Sequence, residues 1–162
     1  MRKLKTIIGK NIVEKEVVMQ INDEYYISDK IDKINFGQVR EMLKDAFWSK
    51  DISAEEIKRG ASNSALVVAA YHKNNDIVGY LRVISDKTRF AYLLDVYVHK
   101  KHRKKGIARS MVSFALNHRE LKDVYQWLLV TRDAHDVYKT VGFQPLQHTD
   151  KWMSIIKPRP DR

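Results

Sequence analysis

Apolar and polar positions follow one another in short runs along the chain, and polar turns separate the runs. The β-rich runs predict strands at residues 25–31, 64–71, 77–84, 90–98, 125–130 and 152–156. Helical spacing of apolar residues predicts helices that begin near residues 35, 53, 107 and 134. Phe47 falls on the apolar face of the first helix. Because residues 90–98 are apolar on both faces, like a central covered strand, the pattern predicts an α/β domain.

The length of 162 residues fits one domain with a single core. We interpret residues 1–24 as an N-terminal extension packed on or next to that domain, and residues 25–162 as the domain itself. Residues 1–18 of the extension would add a strand or mediate contacts. No apolar run approaches the roughly 20 residues that a membrane-spanning helix needs. A chain without cysteine excludes disulfides and thiolate sites, so a cytoplasmic protein is the simplest interpretation.

The chain carries a formal net charge of +10, with 30 Lys and Arg against 20 Asp and Glu. Such a balance favours anionic partners, either a nucleic acid or a multiply phosphorylated cofactor. Six of the cations crowd one turn and the helix start that follows it: Lys100, Lys101, Arg103, Lys104, Lys105 and Arg109. This local concentration favours phosphate binding at one place over diffuse binding of a polynucleotide.

The segment from Asp95 to Arg109 runs from an apolar strand through a basic turn with Gly106 into an amphipathic helix. Unpaired backbone N–H groups at a helix start, a glycine where the main chain must approach closely, and flanking cations all favour an anion. The segment therefore predicts a phosphate site. His99 and His102 lie within it, but the neighbouring cations disfavour a metal ion, and we predict no metal site.

Two motifs in this half of the chain resemble the signatures of the GNAT superfamily of N-acetyltransferases. Arg103-x-x-Gly106-x-Ala108 after a strand is similar to the superfamily's pyrophosphate-binding loop. The segment Thr131-Arg-Asp-Ala-His-Asp-Val-Tyr-Lys-Thr-Val-Gly-Phe143 resembles the second signature, N-x-x-A-x-x-x-Y-x-x-x-G-F, with threonine in place of the usual asparagine. Small bacterial members of the superfamily carry a similar segment. The resemblance implies a mixed, mostly antiparallel central sheet flanked by helices on both faces.

The resemblance also implies an activity and a cofactor. The chain would transfer an acetyl group from acetyl-coenzyme A to a primary amine by direct attack in a ternary complex, with coenzyme A as product. Backbone amides of the loop would grip the pyrophosphate, and the edge of the preceding strand would bind the pantetheine arm. The implied cofactor-binding residues are Val96, Tyr97, Val98, Arg103, Lys104, Lys105, Gly106, Ile107, Ala108, Arg109 and Thr131.

Asp95 and Tyr138 are the candidate catalytic residues. Asp95 matches the position of an acidic residue that serves some members of the superfamily as general base. The alternative is a structural carboxylate bonded to backbone amides or to a cation such as Arg82. Tyr138 lies where the superfamily places its general acid, and a phenol of pKa about 10 can protonate a leaving thiolate. The alternative for Tyr138 is a core aromatic.

The acceptor site is implied where the first helices and the turn before the central strand would meet. Its candidate residues are Tyr25, Trp48, Asp86 and Tyr92, with core aromatics and a turn aspartate as the alternatives. The expected partner is a small-molecule amine, or else a protein N-terminus or lysine, and the expected assembly is a monomer or homodimer. A function of another class stays open, a non-catalytic module that senses acetyl-coenzyme A or binds nucleic acid.

Overall fold

The computed structural model describes residues 16–158. The strands in this range are β1 (Val18–Asn22), β2 (Tyr25–Ser28), β3 (Leu66–His72), β4 (Ile77–Ser85), β5 (Phe90–Val98) and β6 (Gln126–Leu128). The α-helices are α1 (Phe36–Leu43), α2 (Ala54–Ser62), α3 (Ile107–Leu116) and α4 (His135–Lys139). None of the helices within these residues is long and apolar enough to cross a membrane.

The six strands form one sheet in which spatial order equals chain order, β1 to β6. Neighbouring strands are antiparallel from β1 to β5, whereas β5 and β6 are parallel. The parallel pair follows from α3, which lies between the two strands in sequence and returns the chain to the same end of the sheet. The predicted α/β fold, a mixed and mostly antiparallel sheet, is confirmed.

Each face of the sheet buries its own set of apolar side chains. Alternate residues of β3 point to opposite faces, so that Val68 packs in one core and Val67 in the other. Met111 of α3 belongs to the first core and Val39 of α1 to the second. Helices therefore cover both faces, as the sequence pattern predicted.

The predicted helix starts at Asn35 and Ser53 are confirmed, but the first helix is shorter than its apolar spacing suggests. The Asn35 side chain accepts a hydrogen bond from the N–H of Gln38, and Ser53 forms a capping box with Glu56 at the start of α2. Because α1 ends at Leu43, the prediction that Phe47 packs on its buried face is wrong. Phe47 lies in the following loop with 59% of its surface exposed.

Two further predictions concern the ends of the chain. The strand predicted at residues 152–156 is wrong, because these residues form no strand and their side chains are exposed. At the other end, β1 lies within the predicted extension 1–24 and pairs with β2, where Met19 faces Ile27. Residues 1–15, which hold most of the segment expected to add a strand or mediate contacts, lie outside the described residues.

Candidate active site

β5 and β6 pair only over their first residues and then part. Phe90 pairs with Gln126, and Tyr92 with Leu128, where β6 ends. β5 continues to Val98, so its second half has lost β6 as a neighbour on that side. A cavity of about 860 Å³ lies against this second half. The parted strands thus offer main-chain groups of β5 to a ligand.

A β-bulge lies in the same half of β5. Tyr80 of β4 faces Tyr97, while Arg82 faces Leu94, so that the single residue between them faces both Asp95 and Val96. Asp95 has a φ of +55°, a left-handed conformation that aspartate tolerates better than most residues. The bulge turns the strand locally and changes which backbone groups face the cavity.

The basic turn after β5 leads into α3 and lines the cavity. Gly106 precedes the helix with a φ of +77°, which favours glycine, and an added Cβ there would meet no atom within 4 Å. The first intrahelical hydrogen bond joins the N–H of Ser110 to the Gly106 carbonyl at 3.0 Å. The N–H groups of residues 107–109 therefore have no acceptor within the helix, and they attract an anion.

The cavity lining combines cations, aromatic rings and strand residues. Predicted cofactor residues in the lining are Val96, Tyr97, Val98, Arg103, Lys104, Gly106, Ile107, Ala108 and Arg109. Lys100, His102 and Arg132 add further basic groups. Arg103 is fixed in place because its Nε donates to the Val98 carbonyl at 3.0 Å and its guanidinium lies over the Tyr97 ring. The lining suits a ligand with a phosphorylated end and an apolar arm.

Two predicted cofactor residues do not line the cavity. The Lys105 ammonium donates to the Tyr25 hydroxyl at 2.9 Å, and this hydrogen bond raises the pKa of Lys105. Its side chain therefore leaves the loop towards β2. The hydroxyl of Thr131 accepts a hydrogen bond from the N–H of Ala134 at 3.1 Å, directly before α4. Threonine in place of asparagine thus supports the start of α4 in this chain.

Tyr138 of α4 lines the cavity and is largely buried. Its ring packs edge-on against Phe143, with the centroids 6.0 Å apart. Burial raises the pKa of the Tyr138 phenol to about 12, because the ionised form would lose its hydration. The phenol thus keeps its proton at neutral pH and is present there as a proton donor.

Asp95 has a different environment. One carboxylate oxygen lies 2.6 Å from Nε of Arg82, and both side chains are largely buried. The Arg82 guanidinium in turn lies 3.4 Å from the Ser64 hydroxyl, between the end of α2 and the start of β3. Asp95 is absent from the cavity lining. These contacts match the structural alternative, in which Asp95 holds a cation inside the fold.

The four predicted acceptor residues do not come together. Trp48 lines the cavity, whereas Tyr25, Asp86 and Tyr92 do not. Tyr25 is buried beneath the basic turn, with its hydroxyl 2.9 Å from Nδ1 of His102. Asp86 accepts three backbone N–H bonds in the β4–β5 turn, which hold its pKa well below the usual range. Both match their structural alternatives.

Sequence reasoning missed a contact between two residues of the cavity lining. The guanidinium of Arg132 lies 4.2 Å from the ring centroid of Phe47, so that the α1–α2 loop meets the segment after β6. Phe47 also packs edge-on against Trp48 at 5.0 Å, and both rings line the cavity. Arg132 lies in the second signature without an implied role, and the helical spacing of Phe47 suggested a core position. Neither residue therefore gave a usable signal.

Comparison with known proteins agrees with this geometry. The family profile described as an acetyltransferase (GNAT) domain matches residues 62–145. A crystal structure of a GNAT-family protein from Xanthomonas campestris pv. campestris superposes with a TM-score of 0.75 at 30% identity, covering 83% of this chain and 94% of that one. Glucosamine-6-phosphate N-acetyltransferase from Arabidopsis thaliana, at 17% identity and 83% and 97% coverage, shares the fold with a TM-score of 0.63.

A curated relative adds sequence similarity. It is an uncharacterized N-acetyltransferase ycf52-like protein from Prochlorococcus marinus, 24% identical over 106 residues. The match spans 63% of this chain and 57% of that relative's length. The profile match over half of the chain and the Xanthomonas similarity lead to one conclusion: the chain belongs to the GNAT family of acetyltransferases.

Proposed function

We propose that the chain is an acetyl-coenzyme A-dependent N-acetyltransferase that acts by direct transfer within a ternary complex on a small primary amine. One observation carries the proposal: the parted strands, the basic helix start and the Tyr138 phenol all line the same cavity of about 860 Å³. A phosphate site without the parted strands would suit many ligands. The combination suits a long, phosphorylated carrier whose acyl end reaches a buried acid.

The lining supports acetyl-coenzyme A as the acetyl donor. The helix start and the cations of the basic turn would hold the pyrophosphate, since each charge-assisted hydrogen bond to a phosphate is stronger than a neutral one. Gly106 leaves open space where a side chain would block the main chain from the ligand. The second half of β5 would hold the pantetheine arm, because its edge beside Val96 faces the cavity and not β6.

The proposed transfer needs one proton donor and one route for a proton to leave. The acceptor ammonium first gives one proton to water and becomes the nucleophilic amine. The amine nitrogen attacks the thioester carbonyl carbon, a C–N bond forms, the C–S bond breaks, and the N-acetylated amine and coenzyme A result. Tyr138 gives its phenolic proton to the departing sulfur and takes another from solvent afterwards. The proton of the attacking nitrogen leaves to water, because Asp95 is held by Arg82 away from the cavity.

The acceptor would bind beside the aromatic side of the cavity. Trp48 offers a ring face, while the Arg132 guanidinium lies over one face of the Phe47 ring. Asp133 and Asp136 add carboxylates to the lining, 3.7 Å from Arg132 and 3.6 Å from Lys139. Aromatic faces and carboxylates both attract an ammonium group. A small primary amine, charged in solution, fits this side better than an anionic acceptor. The rings come from the α1–α2 loop and the carboxylates from the start of α4, so the spacing of these two regions would set which amine is used.

The test has a binding arm and a turnover arm. In the first, thermal unfolding at near-physiological salt is followed with acetyl-coenzyme A, coenzyme A and single-stranded DNA. A ligand at 100 times its dissociation constant stabilises by about 2.7 kcal/mol, which raises the midpoint by several degrees. We expect the coenzymes to shift the midpoint and DNA to leave it unchanged. A shift with DNA alone would overturn the proposal.

The turnover arm screens primary amines and follows thiol release from acetyl-coenzyme A. Because the chain contains no cysteine, a thiol reagent reports only free coenzyme A. Product mass must rise by one acetyl group on the amine. If the coenzymes bind but neither small amines nor peptides are acetylated, the chain is a sensor on the same scaffold and the enzyme proposal fails.

A further inference from the structure

Arg82 of β4 and Asp95 of β5 form an ion pair that has no part in the proposed transfer. Nε of Arg82 lies 2.6 Å from a carboxylate oxygen of Asp95, and the two side chains are only 20% and 17% exposed. Neither residue lines the cavity, but Asp95 directly precedes Val96, which does. A buried ion pair contributes little net stability compared with packed apolar side chains, because both charges lose their hydration. Its position beside the cavity therefore indicates a geometric role.

Asp95 is the residue at which β5 changes its register. Leu81 of β4 faces both Asp95 and Val96, the two residues of the bulge. The φ of +55° at Asp95 is a conformation that residues with a side chain rarely keep without support from their surroundings. Because groups alternate in direction along a strand, one residue gained or lost at the bulge would reverse the directions of Val96 and Tyr97. The bond to Arg82 thus holds the side chain at the centre of the bulge.

The end of α2 holds the guanidinium of this pair. Gly60 leaves room for it in the last turn of the helix, where an added Cβ would lie 3.4 Å from the guanidinium carbon of Arg82. The Ser64 hydroxyl donates to the Gly60 carbonyl at 2.8 Å and lies 3.4 Å from a terminal nitrogen of Arg82. Arg82 therefore contacts the end of α2 as well as Asp95, and it connects that helix to the bulge.

The surroundings of the pair are largely apolar. Tyr80, two residues before Arg82, is fully buried, and its hydroxyl has no hydrogen-bond partner among the described residues. Burial and the nearby Asp95 carboxylate both raise the pKa of the Tyr80 phenol. Opposite charges attract more strongly in such an environment than in water, and separating them would leave a buried charge without a partner. The bond between Arg82 and Asp95 therefore resists displacement.

We propose that Arg82 is a positioning residue, whose bond to Asp95 keeps the bulge in the conformation that directs the N–H of Val96 or Tyr97 at the thioester carbonyl. Such an N–H stabilises the negative charge that develops on the carbonyl oxygen when the amine attacks. Its direction matters, because a hydrogen bond weakens steeply as it departs from linearity. Arg82 acts through Asp95 and the main chain and touches neither substrate. This role rests on the proposed acetyl transfer.

The first test needs no acceptor. Infrared difference spectra are recorded for acetyl-coenzyme A, labelled with carbon-13 at the thioester carbonyl, bound to the natural chain and to Arg82→Met. A hydrogen bond to the carbonyl lowers its stretching frequency, so we expect a lower frequency in the natural chain than in the variant. Equal frequencies in two folded, loaded proteins would overturn the positioning role and leave the donor site intact. If acetyl-coenzyme A does not bind the natural chain, the proposed function fails, and the role of Arg82 fails with it.

The second test compares turnover with binding, below the unfolding midpoint of every variant. Arg82→Met should lower kcat by about tenfold or more, because the N–H is misdirected only where charge develops, while the affinity for coenzyme A stays within about twofold. The matched control is His118→Met, which breaks another largely buried pair, with Asp29 at 3.1 Å, outside the cavity lining. It should lower the midpoint and leave kcat unchanged. Equal kcat values for the two variants would overturn the role.

Two further variants separate geometry from charge and from folding. Asp95→Asn keeps an oxygen that can accept from Nε of Arg82, so kcat should stay within about threefold of the natural value. Gly60→Leu keeps the charge of Arg82 but displaces its guanidinium, and it replaces Arg82→Met if that variant does not fold. We expect Gly60→Leu to raise the carbonyl frequency and to lower kcat. An unchanged frequency and kcat in folded Gly60→Leu would overturn the positioning role.

Discussion

The two sides of the cavity are built differently. On the side proposed for the acetyl donor, called the donor side below, most of the lining comes from one continuous stretch, residues 96–109, and much of the ligand contact there would involve main-chain groups. On the side proposed for the amine, called the acceptor side below, the lining comes from side chains of two loops, around Phe47 and around Arg132. Binding through main-chain groups survives many side-chain substitutions but depends on the backbone conformation. Binding through side chains changes in affinity and specificity when one of those side chains is replaced.

The variant with the largest expected effect is Gly106→Trp, which tests whether the donor side depends on backbone conformation and open space. The change places a large side chain in the open space and at a φ of +77°, a conformation that costs about 1 kcal/mol for other residues. We expect affinity for coenzyme A to fall by more than about 100-fold, equivalent to about 2.7 kcal/mol. Calorimetric titration measures the loss, and the unfolding midpoint without ligand shows that the variant is folded. Near-normal affinity would remove the loop from the site.

Tyr138→Phe separates chemistry from binding. Removing a general acid lowers kcat by about 100-fold or more, while the affinity for coenzyme A should stay within about twofold, since the ring remains. Continuous thiol release gives kcat, and titration gives the affinity. The matched control is Tyr92→Phe, a half-buried β5 tyrosine outside the cavity lining. Equal kcat values for both variants would reject the acid role.

The same residue carries a pH signature. With a phenol pKa raised to about 12, Tyr138 stays protonated through pH 10, so its ionisation should cause no fall in kcat up to that pH. Because the folded-state pKa exceeds the ordinary value of 10.0, burial of the neutral phenol adds stability below pH 10. That contribution is lost as the pH rises towards 12. A loss of kcat near pH 9 that Tyr138→Phe abolishes would contradict this assignment.

On the acceptor side, Phe47→Ala and Trp48→Ala should raise KM for the amine by about tenfold, since an aromatic contact to an ammonium contributes roughly 1–2 kcal/mol. KM for acetyl-coenzyme A should change little. Steady-state kinetics with one substrate varied at a time separates the two values. If both KM values rise together, the two sides of the cavity do not act independently and the contrast between them fails.

A pair of neighbouring lysines tests the donor side more finely. Lys104 lines the cavity, whereas Lys105 is bonded to Tyr25. Lys104→Gln should weaken coenzyme A binding by about fivefold, the equivalent of roughly 1 kcal/mol. Lys105→Gln, with the same loss of charge, should change it by less than twofold. Equal effects would mean that only the total charge of the turn matters.

The smallest effect on turnover is expected from Asp95→Asn. Asparagine tolerates the left-handed conformation of this position, and it removes the charge that faces Arg82. We expect kcat within about threefold and a midpoint lower by a few degrees, because a largely buried guanidinium loses its partner. Turnover assays and thermal unfolding measure both quantities. A kcat lowered 100-fold with an unchanged midpoint would restore Asp95 as the base.

The donor side could be predicted from the sequence further than the acceptor side, because its main-chain conformation is determined locally. A glycine-bearing basic turn between strand and helix requires one local conformation, so the sequence alone could predict that Arg103, Lys104 and residues 106–109 lie at one site, and all of them line the cavity. The direction of a flexible side chain such as Lys105 depends on Tyr25, a partner 80 positions away, and no local pattern contains it.

The fold could also be predicted from local patterns, because the spacing of apolar residues indicates which faces of each helix and strand are buried. The wrong predictions concern residues whose local sequence pattern indicates burial but which no other part of the described chain covers. Phe47 continues a helical spacing beyond the end of α1, and residues 152–156 have the composition of a strand without a neighbour among the described residues of their own chain. Tyr25 and Asp86 were predicted beside the acceptor from the resemblance, and the structure places both outside the cavity lining.

The bond between Lys105 and Tyr25 has a thermodynamic consequence for the donor site. Together with the contact from Tyr25 to His102, it attaches the basic turn to β2 at two positions, each at a distance of 2.9 Å. A loop that is ordered when the protein folds loses little conformational entropy when a ligand arrives. Coenzyme A recognition by this turn should therefore show a small unfavourable ordering term, and loosening Tyr25 should appear first in the entropy of binding.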